Sequence, residues 1–144
     1  MILTLAQYFN GYNLTHFSEL TTDLIKNATD TVAKFNLLEA EALKAGIKLL
    51  VHPITHNPFT SGWRPKLVNA ATPNAAPFSN HMTCQAGDRY DPHGELDEWA
   101  LENPKILASI GLWQEHPSAT KGWAHFQTVP QNSFKRTGLR YFYP

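Results

Sequence analysis

The feature that most constrains the fold of this chain is a stretch without proline or glycine over residues 31–45. Its apolar residues recur close to the 3.6-residue period of a helix, and Gly46 follows in the position that a helix-ending glycine prefers. These apolar positions are Val32, Phe35, Leu38, Ala42 and Leu43. The stretch is the strongest helix prediction in the chain.

Four other segments have the composition of β-strands, although prolines interrupt the first of them. They are residues 47–63, 85–90, 122–129 and 139–142. Residues 95–110 predict a second helix, in which Pro104 begins a new helical segment. Residues 70–80 are rich in alanine, asparagine and proline and predict a loop. The order helix, strands, helix, strands favours an α+β fold with a mainly antiparallel sheet flanked by helices.

Length and composition exclude several classes of protein. The 144 residues predict a single domain over 1–144, with residues 1–14 as an N-terminal extension. Twelve basic side chains balance twelve acidic ones, so no charge excess indicates a nucleic-acid partner. The apolar runs are too short to span a membrane, and the N-terminus lacks the pattern of a secretory signal. Cys84 is the only cysteine, which excludes an intramolecular disulfide.

Three side chains are candidates for a metal site: His81, Asp88 and His125. His81 and Asp88 lie seven residues apart, a spacing that can bring both to one ion where a loop enters a strand. His125 lies in a predicted strand, where it shares a face with Trp123 and Gln127. Two nitrogens and one carboxylate oxygen with an open fourth position are typical of a catalytic zinc site.

Four short motifs surround these residues. They are Ser61-Gly62-Trp63-Arg64, Ser79-Asn80-His81, Ala86-Gly87-Asp88 and Trp123-Ala124-His125-Phe126. Their order resembles the pattern of the D-alanyl-D-alanine carboxypeptidase family of zinc peptidases, which also contains the vancomycin-resistance D,D-dipeptidases and phage L-alanyl-D-glutamate endolysins. The resemblance covers roughly residues 15–144 and points to a small phage-encoded member.

The resemblance implies a role for each matching residue. His81, Asp88 and His125 would hold Zn²⁺. Arg64 would bind a substrate carboxylate or the carbonyl oxygen that becomes anionic, and Ser79 would support the first ligand or the substrate through its hydroxyl. The family fold is a small α+β domain whose antiparallel sheet carries the metal.

Two aromatic residues and one acid complete the predicted site. Trp63 and Trp123 are candidates for lining a substrate groove, with burial in the core as the alternative. Many family members carry a glutamate or histidine two or three residues before the last metal ligand as general base, but Gly122 and Trp123 stand there. Glu115 is therefore the candidate general base, with His116 as the alternative.

Cys84 stands where the family has a glycine. One interpretation is that it is a small buried apolar residue. The other is that it forms a metal-binding pair with His81, which would change the ligand set.

The predicted function is zinc-dependent hydrolysis of peptide bonds in bacterial peptidoglycan stem peptides, by a phage endolysin or a virion-associated peptidase. Which peptide bond is cut stays open. The expected partners are the peptidoglycan peptide and other virion proteins, without nucleic acid or membrane. The expected location is the host cytoplasm before release, or the virion, with action on the cell wall. The alternatives are a catalytically impaired zinc-peptidase-like structural module of a phage virion or tail, and a non-enzymatic peptide- or glycan-binding domain.

Overall fold

The computed structural model describes residues 2–144, which contain helices and one five-stranded sheet. The α-helices are α1 (Leu5–Phe9), α2 (Tyr12–Thr15), α3 (Thr22–Lys44), α4 (Lys66–Ala71), α5 (Glu95–Glu102), α6 (Pro104–Ile110) and α7 (Phe134–Thr137). The strands are β1 (Phe59–Ser61), β2 (Ala86–Asp91), β3 (Trp113–Glu115), β4 (Gly122–Gln127) and β5 (Tyr141–Phe142). The predicted α+β class is confirmed.

The sheet has the strand order β1-β2-β4-β3-β5. All neighbours are antiparallel except β3 and β5, which are parallel, so the prediction of a mainly antiparallel sheet is also confirmed. The two longest strands, β2 and β4, pair over their whole length and place Asp88 directly opposite His125. Because successive side chains alternate between the two faces, Asp88 and His125 share one face and Gly87 and Phe126 share the other.

Helix α3 covers the face that carries Phe126. Phe35 of α3 packs against Phe59 and Phe126, with ring centroids 5.3 and 5.7 Å away. Below this aromatic cluster, the buried Glu39 of α3 pairs with the buried Arg89 of β2. The core therefore lies between α3 and one sheet face, and the opposite face is left for Asp88 and His125.

The predicted start of α3 at residue 31 was wrong, since the helix begins at Thr22. The Thr21 hydroxyl caps this end by accepting a hydrogen bond from the backbone N–H of Leu24 (3.2 Å). Asp23 in the first turn also favours the positive end of the helix dipole. The predicted end near Gly46 agrees with the structure, where this glycine follows the helix with φ of 83°.

The N-terminal residues are part of the core, so their prediction as an extension was wrong. Leu3, Tyr8 and Phe9 are all buried in the main apolar cluster. The Tyr8 hydroxyl donates a hydrogen bond to the Ala86 carbonyl (2.7 Å), which ties α1 to the start of β2. At Gly62 the backbone approaches α1 so closely that a Cβ would lie 1.9 Å from the Tyr8 carbonyl oxygen.

The strand predictions were correct in the centre of the sheet and wrong at its edges. Residues 47–63 contain only the three-residue strand β1, and the rest of this segment is irregular. Arg89 stabilises it by donating hydrogen bonds to the carbonyls of Leu50 and Pro58. The strand β3 was not predicted.

Residues 95–110 form two helices that divide before Pro104, as expected. Within residues 2–144, none of the helices has the length and apolar character needed to cross a membrane.

Candidate metal centre

The structure brings His81, Asp88 and His125 together on the sheet face away from α3. Asp88 and His125 come from the paired strands β2 and β4, and His81 comes from the loop that precedes β2. One potential ligand atom from each residue lies within 4.8 Å of the other two. The convergence predicted from the spacing is therefore present, and these three residues could hold a metal ion.

His81 is held by three contacts with its surroundings. Its Nδ1 lies 2.7 Å from the Gly62 carbonyl, its backbone N–H donates to the Ser79 hydroxyl (3.2 Å), and its carbonyl accepts from the backbone N–H of Arg64 (3.1 Å). A carbonyl oxygen can only accept, so Nδ1 carries the ring proton and Nε2 has the free lone pair. This Nε2 is buried, lies 3.3 Å from Asp88 Oδ1 and has no hydrogen-bond partner.

His125 is oriented by contacts on both ring nitrogens. Its Nδ1 lies 2.7 Å from Asp88 Oδ1, and its Nε2 lies 3.2 Å from Gln127 Oε1. The oxygens of Asp88 and Gln127 both act as acceptors here, so these distances describe ring N–H groups that donate to them, and an ion ligated through Nδ1 would have to replace the proton between Nδ1 and Asp88.

The donor set fits a transition-metal ion. Two imidazole nitrogens and one carboxylate oxygen are ligands that Zn²⁺ and related divalent ions accept. A buried ring nitrogen without a hydrogen-bond partner is costly, and a cation between His81 Nε2 and Asp88 Oδ1 would satisfy it. The backbone carbonyl of Gly62 and the side chain of Gln127 provide the outer contacts that such ligands need.

The electrostatics of the centre favour the protonation states that a metal requires at two of the three ligands. Burial lowers the pKa of His81, so this ring is neutral at neutral pH. Burial opposes ionisation of Asp88, but the adjacent His81 and His125 outweigh it and hold the pKa of Asp88 well below its usual range. Burial would lower the pKa of His125, but its hydrogen bond to Asp88 raises it, so a proton on His125 competes with an ion.

Arg64 lies beside the centre. Burial lowers the pKa of this guanidinium, while the charge of Asp88 acts in the opposite direction. Its Nη1 makes one long contact with Asn69 Oδ1 (3.5 Å), and its Nε is buried without a hydrogen-bond partner. A cationic donor with an unsatisfied N–H next to the three ligands could bind an anionic group there.

Glu115 lies on the neighbouring strand. The β3–β4 register pairs Gln114 with Phe126, and continuing it by one residue sets Glu115 opposite His125 on the same face. Burial raises the pKa of Glu115, with His125 acting against the rise and Asp88 adding to it. The alternative base, His116, has its Nδ1 2.9 Å from the Ser118 hydroxyl and its ring stacked on Tyr143. Catalysis by Glu115 stays a prediction, and its position next to the ligands is compatible with it.

The two tryptophans predicted to contact substrate differ in position. Trp63 was wrong as a substrate contact, because its side chain is 1% exposed and packs against Phe9 in the core. Trp123 is half-buried and lies two residues before His125 in β4, so both side chains project from the same sheet face. Contact of Trp123 with substrate stays a prediction.

Cys84 is the small buried residue of the first interpretation. Its sulfur does not belong to the group of converging ligand atoms. Burial raises the pKa of the Cys84 thiol to about 12, so the thiol stays protonated and is a poor metal ligand. Its backbone has φ of 57°, and its carbonyl accepts a hydrogen bond from the buried Thr31 hydroxyl (2.7 Å). A left-handed backbone at this position explains why a glycine would also fit.

Sequence reasoning missed two residues that contact the ligands. The sequence places Gln127 on the same strand face as His125 and Gly62 within a motif, and it predicts neither contact. The period-2 pattern of β4 was the available signal for Gln127. No sequence signal indicates that the carbonyl of Gly62 meets His81, because that contact depends on how the loop folds.

Comparison with protein-family models, with curated proteins and with solved structures found no match to this chain. The chemistry of the centre is therefore inferred from its own residues and from the motif resemblance.

Proposed function

We propose that this protein is a zinc metallopeptidase that hydrolyses peptide bonds in bacterial peptidoglycan stem peptides. The observation that carries the proposal is the convergence of His81, Asp88 and His125 within 4.8 Å, with outer contacts that orient both imidazoles. The order of the short motifs supports the substrate class. A phage endolysin or a virion-associated peptidase is the expected setting.

Zinc is the proposed ion because its usual catalytic sites combine histidine and carboxylate ligands and leave one position open. When bound, zinc lowers the pKa of a coordinated water to about 7 and polarises a carbonyl group. Asp88 and His81 supply their ligand atoms in the required ionised and neutral states without a further proton change.

Arg64 binds the anionic part of the substrate in this proposal. Its guanidinium carries a fixed positive charge, and its Nη1 makes only one long contact within the described part of the protein, to Asn69 Oδ1 (3.5 Å). That donor can hold a substrate carboxylate or the carbonyl oxygen as negative charge develops on it. Removing a donor of this kind typically lowers kcat by about 10²–10³-fold.

Glu115 is the proposed general base. It would take a proton from the attacking water and return it to the leaving amine. Burial raises its pKa and so brings it closer to neutral pH, where proton transfer in both directions is easier. The β3–β4 register, continued by one residue, sets Glu115 opposite His125, and the charges of His125 and Asp88 both act on the Glu115 carboxyl.

The proposal is tested by measuring zinc content and release of peptide fragments from purified peptidoglycan. We expect the wild type to bind zinc and cleave the stem peptides, and His81→Ala to lose both properties. Glu115→Gln should keep zinc and lose about 10²–10⁴-fold in rate. His93→Ala, at an exposed histidine outside the centre, is the control and should behave like the wild type. Cleavage that survives His81→Ala would overturn the proposal.

A second candidate is a catalytically impaired zinc-peptidase-like structural module of a phage virion or tail. It is favoured by Gly122 and Trp123, neither of which can accept a proton at the positions where many family members carry the base. This candidate expects zinc binding without any peptide release by the wild type. Peptide release that disappears in Glu115→Gln would exclude it.

A further inference from the structure

We propose that Arg140 is a substrate-binding residue that holds a free carboxylate of the peptide substrate beside the metal centre. This role rests on the proposed function and adds a second cationic contact to the one assigned to Arg64. Arg140 is half-buried and lies directly before β5, the edge strand of the sheet.

The side chain of Arg140 lies on the sheet face that carries Asp88 and His125. In β5, the ring centroid of Phe142 lies 6.2 Å from that of His125, so Phe142 is on this face. Arg140 lies two residues before Phe142 and therefore projects from the same face. Its guanidinium carbon lies 4.3 Å from the ring centroid of Trp113, a residue of the neighbouring strand β3. The guanidinium therefore extends from the sheet edge towards the metal centre.

The sheet register gives the separation between Arg140 and the metal centre. The pairing of β3 with β5, continued by one residue, sets Arg140 beside Trp113, and Trp113 pairs with Gln127 in β4. Arg140 therefore lies two strands and two residues from His125, which corresponds to about 12 Å between their Cα atoms. An extended peptide covers this distance in about three or four residues. A substrate carboxylate about three residues from the cleaved bond is therefore within reach of Arg140.

Two aromatic rings hold the guanidinium in place. Its carbon lies 4.3 Å from the ring centroid of Trp113 and 5.0 Å from that of Phe134. The two rings meet edge to face, with an interplanar angle of 82°. A cation–π contact attracts the charge without using its N–H groups, which stay available to an acceptor. A charge that is already fixed also loses less conformational entropy when a ligand binds.

Hydrogen bonds fix the backbone on both sides of this side chain. The Arg140 carbonyl accepts a hydrogen bond from the backbone N–H of Gln114 in β3 (2.8 Å). Gln131 Nε2 donates to the carbonyls of Leu139 and Tyr141 at 2.9 and 3.3 Å. Arg140 is therefore anchored to the sheet, as a residue that positions a substrate needs to be.

The charge of Arg140 is unpaired in the described part of the chain. Its Nη1 makes one long contact, to the Leu112 carbonyl (3.4 Å). Within residues 2–144, no carboxylate lies within ion-pair distance of this guanidinium, whereas the guanidinium of Arg89 pairs with Glu39. A planar guanidinium with free N–H groups matches the two oxygens of a carboxylate. The partner of Arg140 is therefore assigned to the substrate.

Stem peptides offer two kinds of free carboxylate. One belongs to an internal D-glutamate that is linked to the next residue through its side chain, and the other is the end of the peptide. Both present the same chemistry to a guanidinium, so the experiment separates them by amidating one at a time.

The experiment measures KM and kcat of the zinc-loaded full-length protein on the synthetic peptide L-Ala–D-γ-Glu–L-Lys–D-Ala–D-Ala and on its two singly amidated forms. On the unmodified peptide, Arg140→Gln should raise KM about 10-fold and leave kcat within about 2-fold, because it removes a charge-assisted hydrogen bond to the bound substrate. Amidating the carboxylate that Arg140 binds should raise the KM of the wild type by a similar factor and abolish the effect of the substitution. Arg136→Gln, at an exposed arginine of the same segment, is the control and should leave KM unchanged.

Equal KM values of the wild type and folded Arg140→Gln would overturn this role. A rise in KM that persists on both amidated peptides would also overturn it, since a structural defect does not depend on the charge of the substrate. The wild type alone provides a further test, because a KM unchanged by either amidation would exclude a bound carboxylate. A wild type that binds the unmodified peptide without cleaving it would overturn only the proposed function, and dissociation constants from calorimetry would then replace KM in the same comparison. A wild type that neither binds nor cleaves the peptide would overturn both.

Discussion

Replacing Gly62 by alanine tests how closely the N-terminal helix and the metal centre depend on each other. The new Cβ would lie 1.9 Å from the Tyr8 carbonyl oxygen and 2.8 Å from the carbonyl carbon. Ordinary contact begins at 3.4 Å, so α1 or the Gly62 backbone would have to move by about 1.5 Å. Both groups are backbone, so no side-chain rotation can relieve the overlap.

The cost follows from what such a movement breaks. Overpacking of a core typically costs about 1–3 kcal/mol. The hydrogen bond from the Tyr8 hydroxyl to the Ala86 carbonyl, now 2.7 Å, would be lost as well, which adds about 1 kcal/mol. Alanine lowers the entropy of the unfolded chain and offsets up to about 1 kcal/mol. The expected loss in the free energy of unfolding is therefore about 1–4 kcal/mol.

Urea unfolding of chelator-treated protein measures this loss without a contribution from metal binding. Gly87→Ala is the control, because its Cβ would meet movable ring atoms of Phe35 and Phe59 at 3.0 and 3.3 Å, for a loss of about 1 kcal/mol. Gly62→Ala should also weaken zinc binding by about 10-fold, since the Gly62 carbonyl holds His81. A Gly62→Ala protein as stable as the wild type would refute the close contact with α1.

Two further predictions concern buried charges. Glu39→Gln should lower the free energy of unfolding by about 3–5 kcal/mol in urea titrations, because it keeps the acceptor oxygen but leaves the buried guanidinium of Arg89 without a counter-charge. A loss below about 1 kcal/mol would contradict the ion pair. Burial, together with the charge of Asp91, raises the pKa of Asp97 from 3.8 to about 6, so the folded protein binds more protons than the unfolded chain between these values. The free energy of unfolding of the metal-free wild type, measured relative to that of Asp97→Asn, should therefore fall as pH rises from about 4 to about 6. The expected fall is up to about 3 kcal/mol, and a difference that does not change with pH would contradict the raised pKa.

The central part of the fold was predictable because local pattern and tertiary packing agree there. Residues 85–90 and 122–129 have strand composition, and the observed β2 and β4 differ from them by one or two residues at the ends. The pairing of these two strands brings Asp88 next to His125, and His81 reaches them from the loop before β2. The spacing itself does not indicate the strand register, which only the folded sheet determines.

The remaining features depend on contacts between distant parts of the chain. Helix α3 extends back to Thr22, ahead of the apolar pattern that begins at Val32, and its buried Thr31 hydroxyl donates a hydrogen bond to the distant Cys84 carbonyl. Strand β3 has only three residues and is defined by pairing with β4 and β5, so its local pattern is weak. Trp63 packs in the core against Phe9 of α1, a helix that the local sequence pattern does not predict.

The most direct test of the metal centre is to determine how many ions the purified protein binds and which atoms ligate them, by elemental analysis and X-ray absorption spectroscopy. We expect one zinc ion per chain, with two histidine nitrogens and carboxylate oxygen at about 2.0–2.2 Å and no sulfur ligand. His81→Ala should remove the ion. A protein that binds no zinc, or one in which the sulfur of Cys84 ligates the ion, would contradict the proposed centre.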